Sequence, residues 1–304
     1  MLYDNILKTA GNTPVVRLNN IKNAGALENS EIYLKLEYFN PAGSVKDRIG
    51  VYIIEKWLNE GKINGKSVIV EPTSGNSGIG LAMACAFYGI RLILTMPESM
   101  SAERRKILAG YGAEIVLTPA SEGMSGAIAE AENIKNAVPG AVIVGQFDNP
   151  LNPEAHYFST AEEIFKDIPD LAAVVAGAGT GGTVTGIAEY IADKGLKTAV
   201  YAVEPAESAV LSGDKKGAHN IQGIGAGFIP SVMDLSLLTG IIKITTEEAV
   251  KTAKDLMKKE GIACGISSGA AAAAALKLSG KINGKILAVI PDNALRYLST
   301  ELFG

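Results

Sequence analysis

The feature that most constrains this chain is an alternation, beginning near residue 66, of short β-branched runs with longer segments of helical pattern. Such runs predict strands, and they lie at residues 68–72, 91–96, 114–119, 141–145, 172–177, 198–204 and 285–291. Helix-length segments separate them, and such separations require crossover connections between parallel strands. We therefore expect an α/β protein with mainly parallel, twisted sheets covered by helices.

The length of the chain, 304 residues, is sufficient for two domains. No low-complexity linker divides the chain, but the alternation over residues 92–146 is typical of a smaller unit inserted into a larger one. We predict a larger domain from residues 1–45 and 147–304 and a smaller, mobile domain from residues 46–146. Ligands of open α/β sheets bind beyond the carboxyl ends of the strands, so the loops there are candidate functional segments.

Composition and charge exclude several classes of function. The net charge of -4 is spread along the chain without a basic run, which argues against nucleic-acid binding. The two cysteines, Cys85 and Cys264, lie in apolar runs, and the two histidines, His156 and His219, stand far apart, so we predict no disulfide framework and no metal site. The N-terminus lacks a signal-peptide pattern, and the longest apolar tract, residues 270–276, is too short to span a membrane. We expect a soluble, cytoplasmic protein.

The first candidate loop, Gly177 to Thr183, follows a predicted strand and opens a helix. Its glycines let backbone N–H groups approach an anion, and the helix N-terminus adds positive charge. The hydroxyls of Thr180 and Thr183 are further donors, so the loop predicts a phosphate site. The loop also matches G-x-G-x-x-G, and Glu204 closes the next strand, so these residues leave a nicotinamide-dependent oxidoreductase as an alternative.

Two earlier loops carry polar groups suited to an amino acid and to a carbonyl cofactor. Pro72 to Gly78 brings hydroxyls, an amide and exposed backbone N–H groups to a helix start, which favours a carboxylate site over simple capping. Asn40 to Arg48 turns into a helix near Lys46. A lysine in such a pattern is usually a surface residue, but beside a phosphate site it is a candidate for a Schiff base with an aldehyde cofactor.

Two later segments complete the candidate set. The serine pair in Gly265 to Gly269 precedes an alanine-rich helix and either caps that helix or faces a ligand. Residues 221–228 carry three glycines at alternate positions, a pattern typical of a mobile or closely approached loop, although surface loops also use it.

Motifs that follow one another along nearly the whole chain are GNTPVVRL, NPAGSVKDR, EPTSGNSGIGLA, MPESMSAERR, YGAEIVLTP, QFDNPLNPEAHY, GTGGTVTG, IQGIGAGFIP, GISSGAA and RYLST. Together they resemble the cysteine synthase (O-acetylserine sulfhydrylase) family of fold-type II pyridoxal-phosphate enzymes, which are similar to tryptophan synthase β. The resemblance implies that the larger domain binds the cofactor, the smaller domain binds substrate, and the cofactor lies in the cleft between them. It disfavours the nicotinamide alternative, because such enzymes need neither the lysine nor the TSGNS segment.

The resemblance implies roles for matching residues. Lys46 would hold pyridoxal 5'-phosphate as a Schiff base and move the substrate α-proton. Asn76 would contact the ring hydroxyl of the cofactor, and Ser267, in preference to Ser268, its pyridine nitrogen. The cofactor phosphate would be held by Gly179, Thr180, Gly181, Gly182 and Thr183. Substrate would be bound by Thr73, Ser74, Asn76, Ser77, Gln146 and Gly223.

The implied reaction is β-replacement through an aminoacrylate, from O-acetyl-L-serine and sulfide to L-cysteine and acetate. Ser77 stands where the family commonly has threonine, and residues 293–295 (Asn-Ala-Leu) replace a small or glycine–acidic stretch, so the substrate pair stays open. Alternatives are cystathionine β-synthase-like, lanthionine-forming or sulfide-releasing reactions with serine or cysteine as donor. A serine or threonine dehydratase fits the motifs less well, and a non-enzymatic regulatory binder is a further alternative.

The resemblance also implies partners. We expect a homodimer that takes an amino acid and sulfide or a thiol, and that can bind the C-terminal peptide of serine acetyltransferase. These partners are analogies with the family and follow from no pattern in the sequence.

Overall fold

The computed structural model of the chain describes residues 2–73 and 75–304, without the side chains of residues 102 and 103. Strands β1 to β10 are Val15–Arg17, Ser30–Leu36, Val68–Pro72, Arg91–Pro97, Glu114–Thr118, Ala141–Ile143, Leu171–Gly177, Ala199–Pro205, Gly240–Ile244 and Gly284–Ile290. Helices α1 to α9 are Lys46–Asn59, Asn76–Tyr88, Ala102–Gly110, Gly123–Ala137, Leu151–Ala155, Glu162–Asp167, Gly182–Asp193, Thr246–Asp255 and Ile266–Ser279. The π-helical turns His156–Ala161 and Leu256–Glu260 continue α5 and α8. No helix in the described part of the chain is both long and apolar enough to cross a membrane.

Two compact units make up the chain. The first unit comprises Met1–Ala10 and Asn40–Leu151, and the second comprises Gly11–Phe39 and Asn152–Gly304. The predicted boundaries after residues 45 and 146 therefore lie a few residues away from the observed division. The N-terminal segment belongs to the first unit, contrary to the prediction, because Leu7 is buried in that unit's hydrophobic core.

The first unit is built on a parallel four-stranded sheet in the order β5-β4-β3-β6. Successive side chains of β3 face opposite sides, so Val70 packs with Ala131 of α4 whereas Ile69 joins the core that contains Ile53 of α1 and Met83 of α2. Both faces are thus covered by helices. This burial explains why β3 and β4 read as continuous apolar runs in the sequence.

The second unit is built on a six-stranded sheet in the order β1-β2-β10-β7-β8-β9. Only β1 pairs antiparallel, and every other pair within this sheet is parallel. Val174 of β7 packs with Ile187 of α7 on one face, and Val175 packs with Ala274 of α9 on the other. The prediction of mainly parallel sheets covered by helices is confirmed.

A pair of glycines brings α1 and α2 into close contact in the first unit. A Cβ on Gly50 would lie 2.6 Å from the Gly80 carbonyl oxygen, and a Cβ on Gly80 would lie 2.5 Å from the Lys46 carbonyl oxygen. Only hydrogen fits in these positions, so the two helices cross with their backbones in contact. The crossing packs the carbonyl group of Lys46, the first residue of α1, against Gly80 of α2. Gly80 lies about one helical turn after Asn76, the first residue of α2.

A buried carboxylate ties the end of β3 to the loop that follows β6. Glu71 is 1 % exposed and accepts hydrogen bonds from the Gly145 and Gln146 N–H groups at 2.8 and 3.3 Å. Burial raises the pKa of Glu71 from its ordinary value of 4.5 to about 7, more than the backbone hydrogen bonds lower it. The tie fixes the Gln146 backbone next to the end of β3.

We predict that Gly80→Ala lowers the free energy of unfolding by about 1–3 kcal/mol, because the added methyl group forces α1 and α2 apart. The matched control is Gly110→Ala in α3, where nothing lies within 4 Å of the added Cβ. This control is expected to leave stability within about 1 kcal/mol of the parent chain. Urea unfolding followed by circular dichroism measures both variants, and equal stability for the two would contradict the crossing geometry.

We predict that the stability advantage of the parent chain over Glu71→Gln declines as pH rises from 4.5 to about 7. Folded Glu71 keeps its proton in this window whereas the unfolded chain loses it, so each pH unit removes about 1.4 kcal/mol. The test is the slope of this stability difference against pH. The hydrogen bond with Gly145 is also altered in Glu71→Gln, but that change shifts the difference by the same amount at every pH. Urea midpoints measured across this range would argue against the raised pKa if the two curves ran parallel.

Candidate active site

Lys46 is held at the start of α1 by a compact loop. The Asp47 carboxylate is buried and accepts hydrogen bonds from the Ala42 and Ser44 N–H groups at 2.7 and 3.4 Å. The Lys46 N–H donates to Ser44 Oγ at 3.2 Å. Lys46 itself is half-buried, unlike an ordinary surface lysine. The sequence analysis did not single out Asp47, although a loop entering a helix commonly uses an acid in this way.

The loop between β3 and α2 presents a helix start with a glycine in the N-cap position. Gly75 has no side chain with which to cap α2, and its own N–H donates to Thr73 Oγ1 at 3.3 Å. Thr73 is buried and Asn76 is half-buried as the first residue of the helix. Backbone N–H groups at such a start suit a carboxylate. Ser74, a predicted carboxylate ligand, lies outside the described residues.

Ser77 and Gln146 form a hydrogen bond next to this helix start. The Ser77 hydroxyl donates to Gln146 Oε1 at 2.5 Å, and the Gln146 backbone is held by Glu71. With its proton directed to Gln146, the hydroxyl of Ser77 does not donate to a carboxylate in this geometry. The bond fixes which end of the Gln146 amide faces away from Ser77, namely Nε2.

The glycine loop after β7 forms a narrow cradle in the second unit. A Cβ on Gly179 would collide with the Gly223 carbonyl oxygen, and a Cβ on Gly182 would collide with Asn152 Oδ1. Gly181 is the N-cap of α7, has a φ of 82°, and brings no side chain to cap the helix. Positive φ and close packing both require glycine in this loop. The Gly182 N–H donates to Thr180 Oγ1 at a long 3.4 Å, and the N–H groups of the next two residues of α7 donate to no group in the described part of the chain, so this start suits an anion.

Two threonine hydroxyls flank this helix start, and each contacts a buried side chain of the preceding helical segment. Asn152 Nδ2 donates to Thr180 Oγ1 at 2.9 Å. His156 Nε2 lies 3.1 Å from Thr183 Oγ1. The sequence analysis set His156 aside as a metal ligand and assigned Asn152 no role. Their spacing of four residues, which puts both on one helix face, is the signal that could have identified them.

The serine pair at the start of α9 is divided between two roles. Ser268 is fully buried and donates to the Asp292 carbonyl oxygen at 3.2 Å. Ser267 is 3 % exposed, and within the described part of the chain its hydroxyl makes no hydrogen bond. A Cβ on Gly223 would lie 3.7 Å from Ser267 Oγ. The second unit therefore brings Gly179, Gly223 and Ser267 together, and the geometry favours Ser267 over Ser268 as the serine that meets a ligand.

The Asn-Ala-Leu segment at residues 293–295 is anchored beside α9. Asn293 Oδ1 accepts a hydrogen bond from the Leu295 N–H at 3.1 Å, and the Gly265 N–H donates to the Asp292 carbonyl oxygen at 3.1 Å. The side chain of Leu295 is 71 % exposed. The segment therefore runs next to the residues that precede Ser267, with its largest apolar side chain in solvent.

The surroundings of Glu204 argue against the alternative of a nicotinamide dinucleotide site. This carboxylate is 1 % exposed and accepts hydrogen bonds from the Leu211 N–H, the Ser212 N–H and the Ser212 hydroxyl at 2.8, 3.1 and 2.5 Å. A dinucleotide fingerprint needs its acid for the ribose hydroxyls. Glu204 is instead engaged by its own loop, so the glycine pattern alone does not make a nicotinamide site.

The donor set of the glycine loop fits the phosphate of pyridoxal phosphate. The cradle excludes side chains at Gly179 and Gly182, and the same loop and helix start supply backbone N–H groups and the hydroxyls of Thr180 and Thr183. A lysine at the start of α1, and at the start of α9 a buried serine whose hydroxyl bonds to no described residue, are further groups that suit such a cofactor.

Comparisons with known proteins agree with this geometry. Residues 6–292 match the family of pyridoxal-phosphate dependent enzymes. The chain is 50% identical over 266 residues to a cysteine synthase from Flavobacterium sp., covering 87% of this chain and 85% of that protein. Among solved structures, it is similar to cysteine synthase (OASS) from Entamoeba histolytica, with a TM-score of 0.97 and 43% identity over 100% of this chain and 91% of the other. It is also similar to the O-acetylserine dependent cystathionine beta-synthase from Helicobacter pylori, with a TM-score of 0.92 and 39% identity over 100% of both chains.

The family match spans most of the chain, and the Flavobacterium relative matches more than two thirds of it. The glycine loop and Lys46 are the groups that pyridoxal-phosphate chemistry needs. The chain therefore belongs to the cysteine synthase family of pyridoxal-phosphate dependent enzymes.

Proposed function

We propose that this chain catalyses β-replacement, converting O-acetyl-L-serine and sulfide to L-cysteine and acetate. The observation that carries the proposal is the glycine-lined start of α7, whose N–H groups and threonine hydroxyls suit the phosphate of pyridoxal phosphate. The substrate pair is supported by the 50% identity to a cysteine synthase. In the overall reaction the Cβ–O bond to acetate breaks and a Cβ–S bond forms.

The cofactor would be held at three points of the chain. Gly179 to Thr183 would bind its phosphate, Ser267 would hydrogen-bond its pyridine nitrogen, and Asn76 would contact its ring hydroxyl. The role of Ser267 is supported by its buried hydroxyl, which makes no hydrogen bond to any described group and so can bond to the pyridine nitrogen. A hydroxyl is neutral and does not force a proton onto the ring nitrogen, which favours elimination over racemisation.

Lys46 would attach the cofactor and then serve as the base of the reaction. When bound, pyridoxal phosphate supplies an electron sink that acidifies the substrate Cα–H and allows the β-substituent to leave. Lys46 would remove that proton at Nζ and return it to Cα after sulfur has been added. The glycine crossing of α1 and α2 supports this role, since it keeps the start of α1 close to the helix start at Asn76.

The substrate carboxylate would bind at the start of α2. Thr73, Ser74, Asn76 and Gln146 would contact it, and Gly223 would leave room for the substrate beside Ser267. Ser77 would act through Gln146, because its hydroxyl proton is directed to Gln146 Oε1. Nε2 of the Gln146 amide would then be turned to the carboxylate.

A second acceptor is a specific alternative. The cystathionine beta-synthase from Helicobacter pylori that matches 100% of the chain is O-acetylserine dependent. A thiol such as homocysteine would therefore replace sulfide with the same donor. The donor half of the reaction, and with it the roles given above, would be unchanged.

Other expectations rest on the family resemblance alone. They are a homodimer, a cytoplasmic location, a smaller unit that moves as substrate binds, and binding of the C-terminal peptide of serine acetyltransferase.

We predict that the purified protein shows the visible absorption band of lysine-bound pyridoxal phosphate, and that O-acetylserine moves this band to longer wavelength. Lys46→Ala should lose the band and lower cysteine formation by about a thousandfold or more, because it removes both the attachment point and the base. The matched control is Lys56→Ala, which changes a lysine of the same helix whose side chain is 38% exposed. This control should keep both the band and the activity.

The outcomes of this experiment separate the alternatives. A colourless protein that pyridoxal phosphate cannot reconstitute would refute the proposal. A coloured protein whose absorption band does not change with O-acetylserine would exclude O-acetylserine as the donor, and serine and cysteine would then be tested in its place. If sulfide gives no product but homocysteine does, the acceptor is the thiol.

We predict that Ser77→Ala raises the KM for O-acetylserine about fivefold, because the Gln146 amide loses the hydrogen bond that orients it. The band of the lysine-bound cofactor should not change. Ser77→Thr keeps a hydroxyl and should restore the KM to within about twofold. Steady-state kinetics with sulfide in excess measure these values, and an unchanged KM for Ser77→Ala would exclude a role for Ser77.

A further inference from the structure

The second unit contains a buried histidine for which the reaction above has no use. His156 is fully buried at the start of the π-helical turn after α5. Its Nδ1 lies 2.8 Å from Thr160 Oγ1, and its Nε2 lies 3.1 Å from Thr183 Oγ1. A turn of π-helix inside a longer helix frequently marks a functional position. The ring thus links the hydroxyl of a buried threonine to one that lines the glycine loop.

Close packing of two helices sets this geometry. A Cβ on Gly186 would collide with the Pro153 carbonyl oxygen and would lie 2.8 Å from the Cβ of His156. Gly186 follows Thr183 by three residues on α7, so it lies on the same face of that helix. The missing side chain lets the segment carrying His156 approach the first turn of α7.

The hydrogen-bond capacity of Thr160 decides which ring nitrogen carries the proton. Thr160 is fully buried, and within the described part of the chain its hydroxyl bonds only to His156 Nδ1. If Nδ1 carried a proton, it would donate to Thr160 Oγ1, and the Thr160 proton would be left without an acceptor. A buried donor without an acceptor costs roughly 1–3 kcal/mol. Nδ1 must therefore accept, which leaves the proton of the neutral ring on Nε2.

This tautomer determines the direction of the Thr183 hydroxyl. Nε2–H donates to Thr183 Oγ1, so that oxygen receives a hydrogen bond and its own proton turns away from the histidine. With the opposite tautomer, the Thr183 proton would be donated to Nε2 and oxygen lone pairs would face the anion. A protonated ring would bury a charge and would also leave the Thr160 proton without an acceptor.

We propose that His156 is a positioning residue of the phosphate site: as the neutral Nε2–H tautomer it aims the Thr183 hydroxyl proton at the phosphate of the cofactor. Asn152, one turn earlier, makes the corresponding contact to Thr180 from the same helix face. The inference deepens the proposed function and rests on its phosphate site, but it does not depend on which donor or acceptor the enzyme uses.

The tautomer can be observed directly in the unaltered holoenzyme. The chain has only two histidines, His156 and His219, so long-range ¹H–¹⁵N correlation spectra of ¹⁵N-histidine-labelled protein contain two rings. His219→Gln identifies the signals of each. We expect His156 to show a protonated-type shift at Nε2 and an unprotonated-type shift at Nδ1. A proton on Nδ1 would overturn the proposal.

Cofactor affinity provides the second readout. His156→Leu should weaken binding of pyridoxal phosphate to the apoprotein about tenfold, because a hydroxyl donor to a charged phosphate is lost. Binding of pyridoxal, which lacks the phosphate, should change by less than about twofold. His156→Gln can place an amide N–H near the position of Nε2 and should recover most of the affinity. The matched control is Ser159→Ala, which removes a hydroxyl of the same turn that bonds to the Ala155 carbonyl oxygen.

A double-mutant cycle with Thr183→Val tests whether His156 acts through this threonine. His156→Leu should weaken pyridoxal phosphate binding much less in the Thr183→Val background, because the hydroxyl that it orients is already absent. Equal loss of pyridoxal and pyridoxal phosphate affinity, or full additivity in the cycle, would show a general packing role and overturn the proposal. If the parent chain bound no pyridoxal phosphate, the proposed function and this inference would both fail, whereas a wrong tautomer in a coloured holoenzyme would refute the inference alone.

Discussion

The candidate site depends on helices that begin at a glycine. Gly75, Gly181 and Gly265 are the N-cap residues of α2, α7 and α9, and none has a side chain to satisfy the first-turn N–H groups. Elsewhere in the chain helices α3 and α8 begin at Ser101 and Thr245, whose hydroxyls cap them. A side-chain cap stabilises a helix by about 1 kcal/mol, so its absence at three starts leaves donors for ligands. The predicted carboxylate, phosphate and pyridine-nitrogen contacts each fall at one of these starts.

Burial explains how much of the fold could be predicted from the sequence. The parallel strands covered on both faces read as apolar runs, and β3, β4 and β7 were predicted to within a residue or so. Strand β2 was missed because Lys35 interrupts its apolar pattern. That lysine is fully buried and lies 2.7 Å from Glu163, a pairing that no local pattern reveals. Strand β9 is short and lies at the sheet edge, and α8 was overlooked although its Thr245 and Glu248 form a capping box.

The site divides in the same way between local and non-local information. Lys46 and the glycine loop are recognisable because glycines, threonines and a helix-start lysine form contiguous patterns. Asp47, Glu71 and His156 were missed, since each acts through a partner that only the fold brings near. Glu204 shows the opposite error. Its position in the sequence matches the acidic residue of a dinucleotide fingerprint, but in the fold its carboxylate accepts a hydrogen bond from Ser212. Sequence patterns thus indicate candidate ligand-binding groups more readily than the groups that orient them.

The contact between Gly50 and Gly80 has a consequence for directed evolution of acceptor choice. Each glycine faces backbone atoms of the opposing helix, so enlarging one cannot be offset by shrinking a neighbouring side chain. Libraries that randomise the segments around Lys46 and Asn76 would lose folded members through these two positions before any change of specificity was sampled. Keeping both codons fixed would preserve the helix crossing while the neighbouring positions, including those proposed to bind substrate, are varied.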